Sequence, residues 1–179
     1  MARVVVKSRS IKFKDNWITT WQDDVVYPNG HKTLYGYIEL ERGVHAVVTD
    51  KNNKIILFKQ YRYPVNKTLW SIPGGGIHKN ETPRGAIERE IKEEIGVNIT
   101  SLEKIGKNWY LCAPFVKAYY HLFIAKTSDL PKAKGESDED IRAAKSFSKE
   151  EILNMIDGGV IEEDYVANAL QIAIRKLGL

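Results

Sequence analysis

Residues 75–97 read GGIHKNETPRGAIEREIKEEIGV, and this stretch decides most of what can be inferred about the fold. Thr82 followed by Pro83 is a typical helix start, because threonine caps a helix N-terminus and proline suits its first turn. Gly96 is a typical helix end. One buried stripe is predicted from the isoleucines at every fourth position, which are Ile87, Ile91 and Ile95. We therefore predict a helix from about Pro83 to Ile95, with a glycine-rich loop at residues 73–76 before it.

Three glutamates crowd the second half of this predicted helix. Glu90 and Glu94 share one face, and Glu93 lies one turn after Glu90. Like charges at this spacing repel by about 0.2–0.5 kcal/mol per pair. A divalent cation would offset that cost, and Mg²⁺ prefers carboxylates together with water and phosphate oxygens. Arg89 can hold Glu93 by a charge-assisted hydrogen bond. An ordinary solvated helix face is the alternative.

The spacing of glycines and charged residues is more specific than the carboxylates alone. Gly75 is followed after five residues by Glu81, and after seven more by the run from Arg89 to Val97. This pattern resembles the Nudix box at every defined position, so the chain is identified as a member of the Nudix hydrolase superfamily. The resemblance implies an α/β fold, a Nudix-type α/β/α sandwich with a mixed sheet.

The resemblance also implies roles for single residues of the box. The metal ligands that it implies are Glu90, Glu94, Glu93 and the Gly74 carbonyl. The metal would be Mg²⁺, with Mn²⁺ as a substitute, and it would polarise a phosphoryl oxygen and activate water. Arg89 and Glu81 would order the loop and orient Glu93, so we count Glu93 and Arg89 as catalytic.

An acidic segment at residues 135–140 is a further candidate part of the site. By composition it is a mobile charged loop, and such a run is usually only solvated. In the similar enzymes an acidic loop at this point closes over the metals and supplies a glutamate. Glu139 is the best match and is therefore a candidate metal ligand and general base, with Glu93 as the alternative base.

The remaining pattern predicts strands around the box and two more helices. The first forty-odd residues favour a small antiparallel sheet around an Asn29–Gly30 turn, which alone would be marginally stable. Further strands are expected near Val44–Val48, Lys54–Tyr63 and Gly106–Lys126, and helices near Ser148–Met155 and Asp164–Leu177. This order indicates a helix–sheet–helix sandwich. We divide the chain into an N-terminal sheet segment, residues 1–42, and a Nudix domain, residues 43–179.

Outside the box the resemblance covers about residues 30–175 and is closest to ADP-ribose diphosphatases and related nucleoside-diphosphate-sugar hydrolases. Gln60-Tyr61-Arg62 resembles an element whose arginine binds the diphosphate. Arg62 suits this task because a guanidinium binds phosphate oxygens bidentately, although an ordinary salt bridge is the alternative. Two departures, Ser71 in place of a usual glutamate and no carboxylate soon after Pro114, leave the preferred sugar nucleotide open.

Five residues are assigned to substrate binding. They are Arg62, Arg42, Trp17, Tyr27 and Pro114. Arg42 begins a strand that resembles the one entering the core in this group, and Pro114 matches a proline typical of it. Trp17 and Tyr27 are candidates to stack on a base, with core or interface packing as the alternative.

Composition and charge limit the partners. The chain has 43% apolar and 28% charged residues, as a globular protein does, and no apolar run long enough to span a bilayer. A net charge of +4 suits an anionic substrate and is too small to indicate nucleic acid. The single cysteine, Cys112, favours a cytoplasmic location and is expected to be buried. In the resembling enzymes the N-terminal sheet exchanges between subunits, so we expect a homodimer.

The resemblance implies Mg²⁺-dependent hydrolysis of the diphosphate bond of ADP-ribose or a related nucleoside diphosphate sugar. The products would be a nucleoside monophosphate and a sugar phosphate. One alternative is GDP-mannose, or a broader pyrophosphohydrolase activity on NADH, dinucleoside polyphosphates or RNA 5′ ends. Another is a non-catalytic ligand-sensing module. Such modules typically lose box carboxylates, whereas this sequence keeps all of them.

Overall fold

The computed structural model of the protein describes residues 3–133 and 140–179, which form eleven strands and three α-helices. The strands up to the box are β1 (Val5–Lys14), β2 (Ile18–Val26), β3 (Lys32–Leu40), β4 (Gly43–Thr49), β5 (Ile55–Arg62), β6 (Lys67–Ser71) and β7 (Gly74–Gly76). Helix α1 (Pro83–Glu94) is followed by β8 (Ile99–Tyr110), β9 (Val116–Lys117), β10 (Tyr119–Thr127), β11 (Ile141–Phe147), α2 (Lys149–Asp157) and α3 (Asp164–Leu177).

The described residues fall into two compact units. The first comprises the chain up to Arg42 together with Tyr110–Tyr120, and the second comprises Gly43–Trp109 and the described residues from His121 to Leu179. The sequence-based division at residue 42 placed Tyr110–Tyr120 in the second part. The structure places this segment in the first unit because its strand β9 pairs with β3.

A four-stranded sheet with the order β1-β2-β3-β9 forms the first unit. Strands β1, β2 and β3 pair antiparallel, whereas β9 adds in parallel through Ile38 and Val116. The turn between β2 and β3 needs a left-handed residue, and Gly30 supplies it with a φ of 85°. The predicted strands and the Asn29–Gly30 turn are therefore confirmed.

The sheet of the second unit has the order β11-β5-β4-β10-β8, with β6 pairing with β5 and β7 with β4. Strand β4 lies at its centre, and its alternate side chains face opposite ways. Val44, Ala46 and Val48 pack with the isoleucine stripe of α1 in one buried core. From the other face of β4, His45 contacts Tyr165 of α3, with ring centroids 4.7 Å apart. Helices thus cover both faces of this strand.

The sequence signals at the helix ends are confirmed. The Thr82 side chain accepts a hydrogen bond from the Gly85 amide at 3.1 Å, and α1 starts at Pro83 as predicted. Ser148 and Glu151 form a reciprocal capping box at the start of α2. Helix α3 has the predicted bounds. In the described ranges, no helix is long and apolar enough to cross a membrane.

Two expectations are wrong. Residues Gly74–Gly76 were expected to be a loop, but they form the short strand β7, which pairs antiparallel with β4. The absence of side chains explains this pairing, because a Cβ on Gly74 would lie only 2.0 Å from His45 Nδ1. Cys112 is exposed rather than buried, since it lies in a turn with a φ of 21° between β8 and β9.

Candidate active site

The glutamates of the box lie on α1 as the helical spacing requires. Glu90 and Glu94 are 6% and 2% exposed, next to an isoleucine stripe that is fully buried. Glu93 lies at the edge of this face, with 38% of its side chain exposed. Burying a carboxylate is costly unless it is paired or coordinates a metal, so this face is built for charge compensation.

Arg89 is the hydrogen-bonding centre of the box. Its Nη1 donates to Glu90 Oε1 and to Glu93 Oε2, both at 2.9 Å, so the predicted bond to Glu93 is confirmed. Its Nε donates to Glu81 Oε1 at 3.0 Å, and its Nη2 donates to the Gly76 carbonyl at 3.1 Å. One guanidinium therefore connects three carboxylates to the strand that precedes the helix.

Glu81 closes the connection between β7 and α1. It accepts a hydrogen bond from the His78 amide at 3.0 Å, in addition to those from Arg89. The Arg89 guanidinium, and after it the His78 amide, hold the pKa of Glu81 below its ordinary value. The same contact with Glu81 is the largest cause that raises the pKa of Arg89. Both groups therefore remain charged, and their pairing fixes the path of the connection.

Strand β7 lies directly on the buried carboxylates. The Gly74 amide donates to Glu94 Oε2 at 2.9 Å. A Cβ on Gly75 would lie 2.2 Å from Glu90 Oε1, which is closer than any real contact. Only glycine allows the backbone to approach the glutamates in this way. The box thus brings a main-chain strand and two buried carboxylates to one place.

The chemistry of this donor set fits a hard divalent cation. Arg89 pairs with three carboxylates, those of Glu81, Glu90 and Glu93, and Glu94 lies on the same helix face as Glu90, so the cluster carries an excess of negative charge. Mg²⁺ prefers such oxygen ligands. Within residues 3–133 and 140–179, no three acidic, histidine or cysteine side chains are already gathered around one metal position.

A second polar cluster surrounds Arg62 at the end of β5. Its Nε donates to Glu163 Oε1 at 3.0 Å, and its Nη2 donates to Ser71 Oγ at 3.2 Å and to the Tyr165 hydroxyl at 3.1 Å. Burial alone would lower the pKa of Arg62, but Tyr165 and Glu163 raise it overall. The salt bridge that the sequence left as an alternative is therefore present, and Glu163 is its partner. We name Arg62, Ser71, Glu163 and Tyr165 the arginine cluster.

His45 connects the arginine cluster to β7. Its ring packs against Tyr165, and its backbone is in register with Gly74. Burial, and then the charge of Arg62, lower the pKa of His45 to about 3. Burial raises the pKa of Tyr165 to about 12. Both rings are therefore neutral near pH 7. Tyr165 contacts Arg62 and His45, and His45 pairs with Gly74 of β7, whose amide donates to Glu94.

The other predicted substrate-binding residues lie in the first unit. Trp17, which is 76% exposed, and Arg42 line one surface cavity of about 370 Å³. Tyr27 does not line it and instead packs beside His31. Pro114 lines a separate cavity of about 280 Å³, where its carbonyl accepts a hydrogen bond from the Tyr35 hydroxyl. The structure therefore brings Trp17 and Arg42 together, but neither Tyr27 nor Pro114 joins them.

Glu139 lies outside the described residues. Glu163 and Tyr165 contact Arg62, but neither is a candidate from the sequence. Their only sequence signal is their position at the start of a well-predicted helix, where an acidic residue is common for reasons of helix stability.

Comparison with known proteins agrees with this geometry. Residues 39–168 match the family described as NUDIX domain. An ADP-ribose pyrophosphatase of Bacillus subtilis (strain 168) is 28% identical over 160 residues, covering 89% of this chain and 86% of the relative. A methanol dehydrogenase activator of Bacillus methanolicus is 31% identical over 119 residues, covering 66% of this chain and 63% of the relative.

A solved structure shows the same fold. The crystal structure of an ADP compounds hydrolase superposes with a TM-score of 0.86 over 99% of this chain and 96% of its own, at 16% sequence identity. The predicted α/β fold is therefore confirmed. The chain belongs to the Nudix family, and it is an enzyme of that family, a Nudix hydrolase. Nudix enzymes generally use divalent metals.

Proposed function

We propose that this Nudix hydrolase cleaves the diphosphate bond of ADP-ribose or a closely related nucleoside diphosphate sugar, using Mg²⁺. The observation that carries the proposal is the complete box, in which Glu90 and Glu94 are buried against the glycine strand β7. The similarity to the Bacillus subtilis ADP-ribose pyrophosphatase extends over most of both chains and supports the substrate class.

In this proposal Glu90, Glu93, Glu94 and the Gly74 carbonyl hold the cation. The cation would polarise a phosphoryl oxygen and lower the pKa of the attacking water. Arg89 keeps Glu90 and Glu93 in place through Nη1, which reduces the freedom that these side chains would lose on binding. Glu139 is proposed as an additional ligand or general base, with Glu93 as the alternative base.

Substrate binding is proposed for Arg62 and for two residues of the first unit. The Arg62 guanidinium would bind a phosphate oxygen of the diphosphate, a geometry that arginine favours. Trp17 is exposed beside Arg42, and an exposed indole next to a cation suits a nucleotide base and its phosphate. We also propose Tyr27 and Pro114 as substrate-binding residues.

We further propose that the enzyme is a cytoplasmic homodimer. The proposed location follows from the single cysteine in the sequence. The proposed dimer interface is the N-terminal segment, residues 1–42.

A substrate panel tests the proposal. The purified enzyme is incubated with ADP-ribose, GDP-mannose, NADH, a diadenosine polyphosphate and deoxynucleoside triphosphates, and the products are separated by chromatography. We expect AMP and ribose phosphate from ADP-ribose in the presence of Mg²⁺, slower release with Mn²⁺ and none with excess EDTA. Turnover confined to triphosphates, or turnover unaffected by EDTA, would contradict the proposal.

A further inference from the structure

We infer that Tyr165 and Glu163, at the start of α3, are positioning residues that hold Arg62 for binding of the substrate diphosphate. This inference rests on the proposed function, since it takes the diphosphate as the ligand of Arg62. Arg62 would then be both a member of a structural salt bridge and a substrate-binding residue. The contacts show how one side chain can do both.

The hydrogen bonds of Arg62 use two of the three nitrogens of its guanidinium. Nε donates to Glu163, and Nη2 donates to Ser71 and Tyr165. A guanidinium has five N–H donors, two of them on Nη1. Within the parts of the chain that the structure describes, Nη1 of Arg62 makes no hydrogen bond. The Arg62 side chain as a whole is 31% exposed, and Nη1 is taken as the group that meets the diphosphate.

The positioning residues are themselves held by the fold. Glu163 is the residue before α3, and only 15% of its side chain is exposed. Its second oxygen, Oε2, accepts a hydrogen bond from the Tyr165 hydroxyl at 3.3 Å. The Tyr165 hydroxyl also lies 3.3 Å from Ser71 Oγ. A closed set of contacts from β5, β6 and α3 therefore fixes the plane of the guanidinium, which limits the rotamer entropy that Arg62 loses when it binds phosphate.

Tyr165 also contacts the strand that leads to the proposed metal site. Its ring packs on His45, and His45 is in register with Gly74, whose amide donates to Glu94. The two parts of Tyr165 thus have different neighbours: the hydroxyl contacts the other three residues of the arginine cluster, and the ring contacts β4. Replacement of Tyr165 by phenylalanine removes the first contact and preserves the second, without a change in charge.

A double-mutant cycle tests the inference. Tyr165→Phe, Arg62→Ala and the double variant are compared in the KM and kcat for ADP-ribose, and in the Kd for ADP-ribose measured by calorimetry in EDTA. We expect Tyr165→Phe to raise KM and Kd roughly five- to tenfold with little change in kcat, the size of one lost hydrogen bond. In the Arg62→Ala background the same change should have no further effect, because Tyr165 acts through Arg62.

Tyr61→Phe is the matched control. Its hydroxyl donates to Asn66 and does not contact Arg62, although the two residues are adjacent in the chain. It removes the same hydroxyl group and should leave KM and Kd unchanged. Additive effects of Tyr165→Phe and Arg62→Ala, or a normal Kd in Tyr165→Phe, would overturn the inference. Should Tyr165→Phe fold poorly in thermal melts, Glu163→Gln is used in the same cycle, with additivity again the contradicting result.

Failure of the proposed function is a separate result. It appears as a wild-type enzyme that releases no AMP from ADP-ribose. The cycle is then run with the substrate of the panel that the wild-type enzyme cleaves, and non-additivity between Tyr165 and Arg62 remains the expected result. An Arg62→Ala variant with unchanged KM and Kd for that substrate would overturn the positioning inference.

Discussion

Glycine 75 decides how closely β7 can approach the carboxylates of α1. A Cβ at this position would overlap Glu90 Oε1, whereas a Cβ at Gly76 would meet nothing within 4 Å. Neither residue has a positive φ, so alanine introduces no backbone strain at either position. A comparison of Gly75→Ala with Gly76→Ala therefore distinguishes the effect of a displaced Glu90 carboxylate from the effect of an added methyl group in β7.

We predict that Gly75→Ala abolishes most of the activity and that Gly76→Ala retains it. The added methyl group must displace the Glu90 carboxylate, which is the end of a side chain, so the fold should survive. The measurement is the Mg²⁺-dependent rate for both variants, with their thermal unfolding midpoints as the check on folding. Equal rates for Gly75→Ala and the wild type would contradict the proposed role of Glu90.

The residues of the box are predictable from sequence because helical spacing sets their geometry. Glu90 and Glu94 share a face wherever α1 forms, and Arg89 reaches Glu93 one turn away. The arginine cluster has no such local pattern. Glu163 and Tyr165 lie 101 and 103 residues from Arg62, and only the packing of α3 onto β4 brings them together. Their contact with Arg62 could therefore be found only in the structure.

At the scale of elements, an ion pair between Arg9 and Asp23 connects the neighbouring strands β1 and β2. Arg9 donates to both oxygens of Asp23, each at 2.8 Å, and Asp23 is buried in the sheet face. The Arg9 guanidinium holds the pKa of Asp23 below its ordinary value of 3.8. The Asp23 carboxylate therefore binds a proton less readily in the folded state than in the unfolded state. The pair stabilises the fold above pH 3.8, and this stabilisation is lost as the pH falls through the folded-state pKa.

We predict that Asp23→Asn lowers the denaturant midpoint of unfolding at pH 7, and that the difference from the wild type shrinks at pH 3. The variant keeps the shape of the side chain but cannot carry the charge that Arg9 compensates. Asp24→Asn, at the next position of the same strand, should leave the midpoint nearly unchanged. A difference between Asp23→Asn and wild type that is the same at both pH values would show that the charge does not stabilise β1 on β2.

The elements differ in how far the sequence predicts them. The starts of α1 and α2 follow from capping residues, which act locally, and the structure confirms them. The bounds of α3 follow from its apolar face instead, because Glu163 before it makes no side-chain capping hydrogen bond. Strand β7 is not predictable, because three consecutive glycines have no strand propensity of their own. It forms because residues Gly43–His45 of β4 pair with it, and at Gly74 only a residue without a Cβ fits beside His45. Tertiary pairing determines this strand.

At the scale of the whole molecule, the proposed homodimer can be tested at the edge of the sheet in the first unit. Strand β1 is at the edge of this sheet, and all ten of its residues are exposed, including the apolar Val5, Ile11 and Phe13. An edge strand with exposed apolar residues is a surface for pairing with another chain. We predict a dimer at micromolar concentration in sedimentation equilibrium. A monomer over the whole concentration range would contradict the proposed homodimer.

The rate of AMP release from ADP-ribose by Glu94→Gln, beside that of Glu88→Gln, tests the central claim most directly. Both substitutions remove one carboxylate from α1, but Glu94 is buried on the face toward β7, whereas Glu88 is exposed and pairs with Arg84. The account predicts a loss of orders of magnitude in kcat for Glu94→Gln and a near-normal rate for Glu88→Gln, with both proteins folded. Near-full Mg²⁺-dependent activity in Glu94→Gln would contradict it.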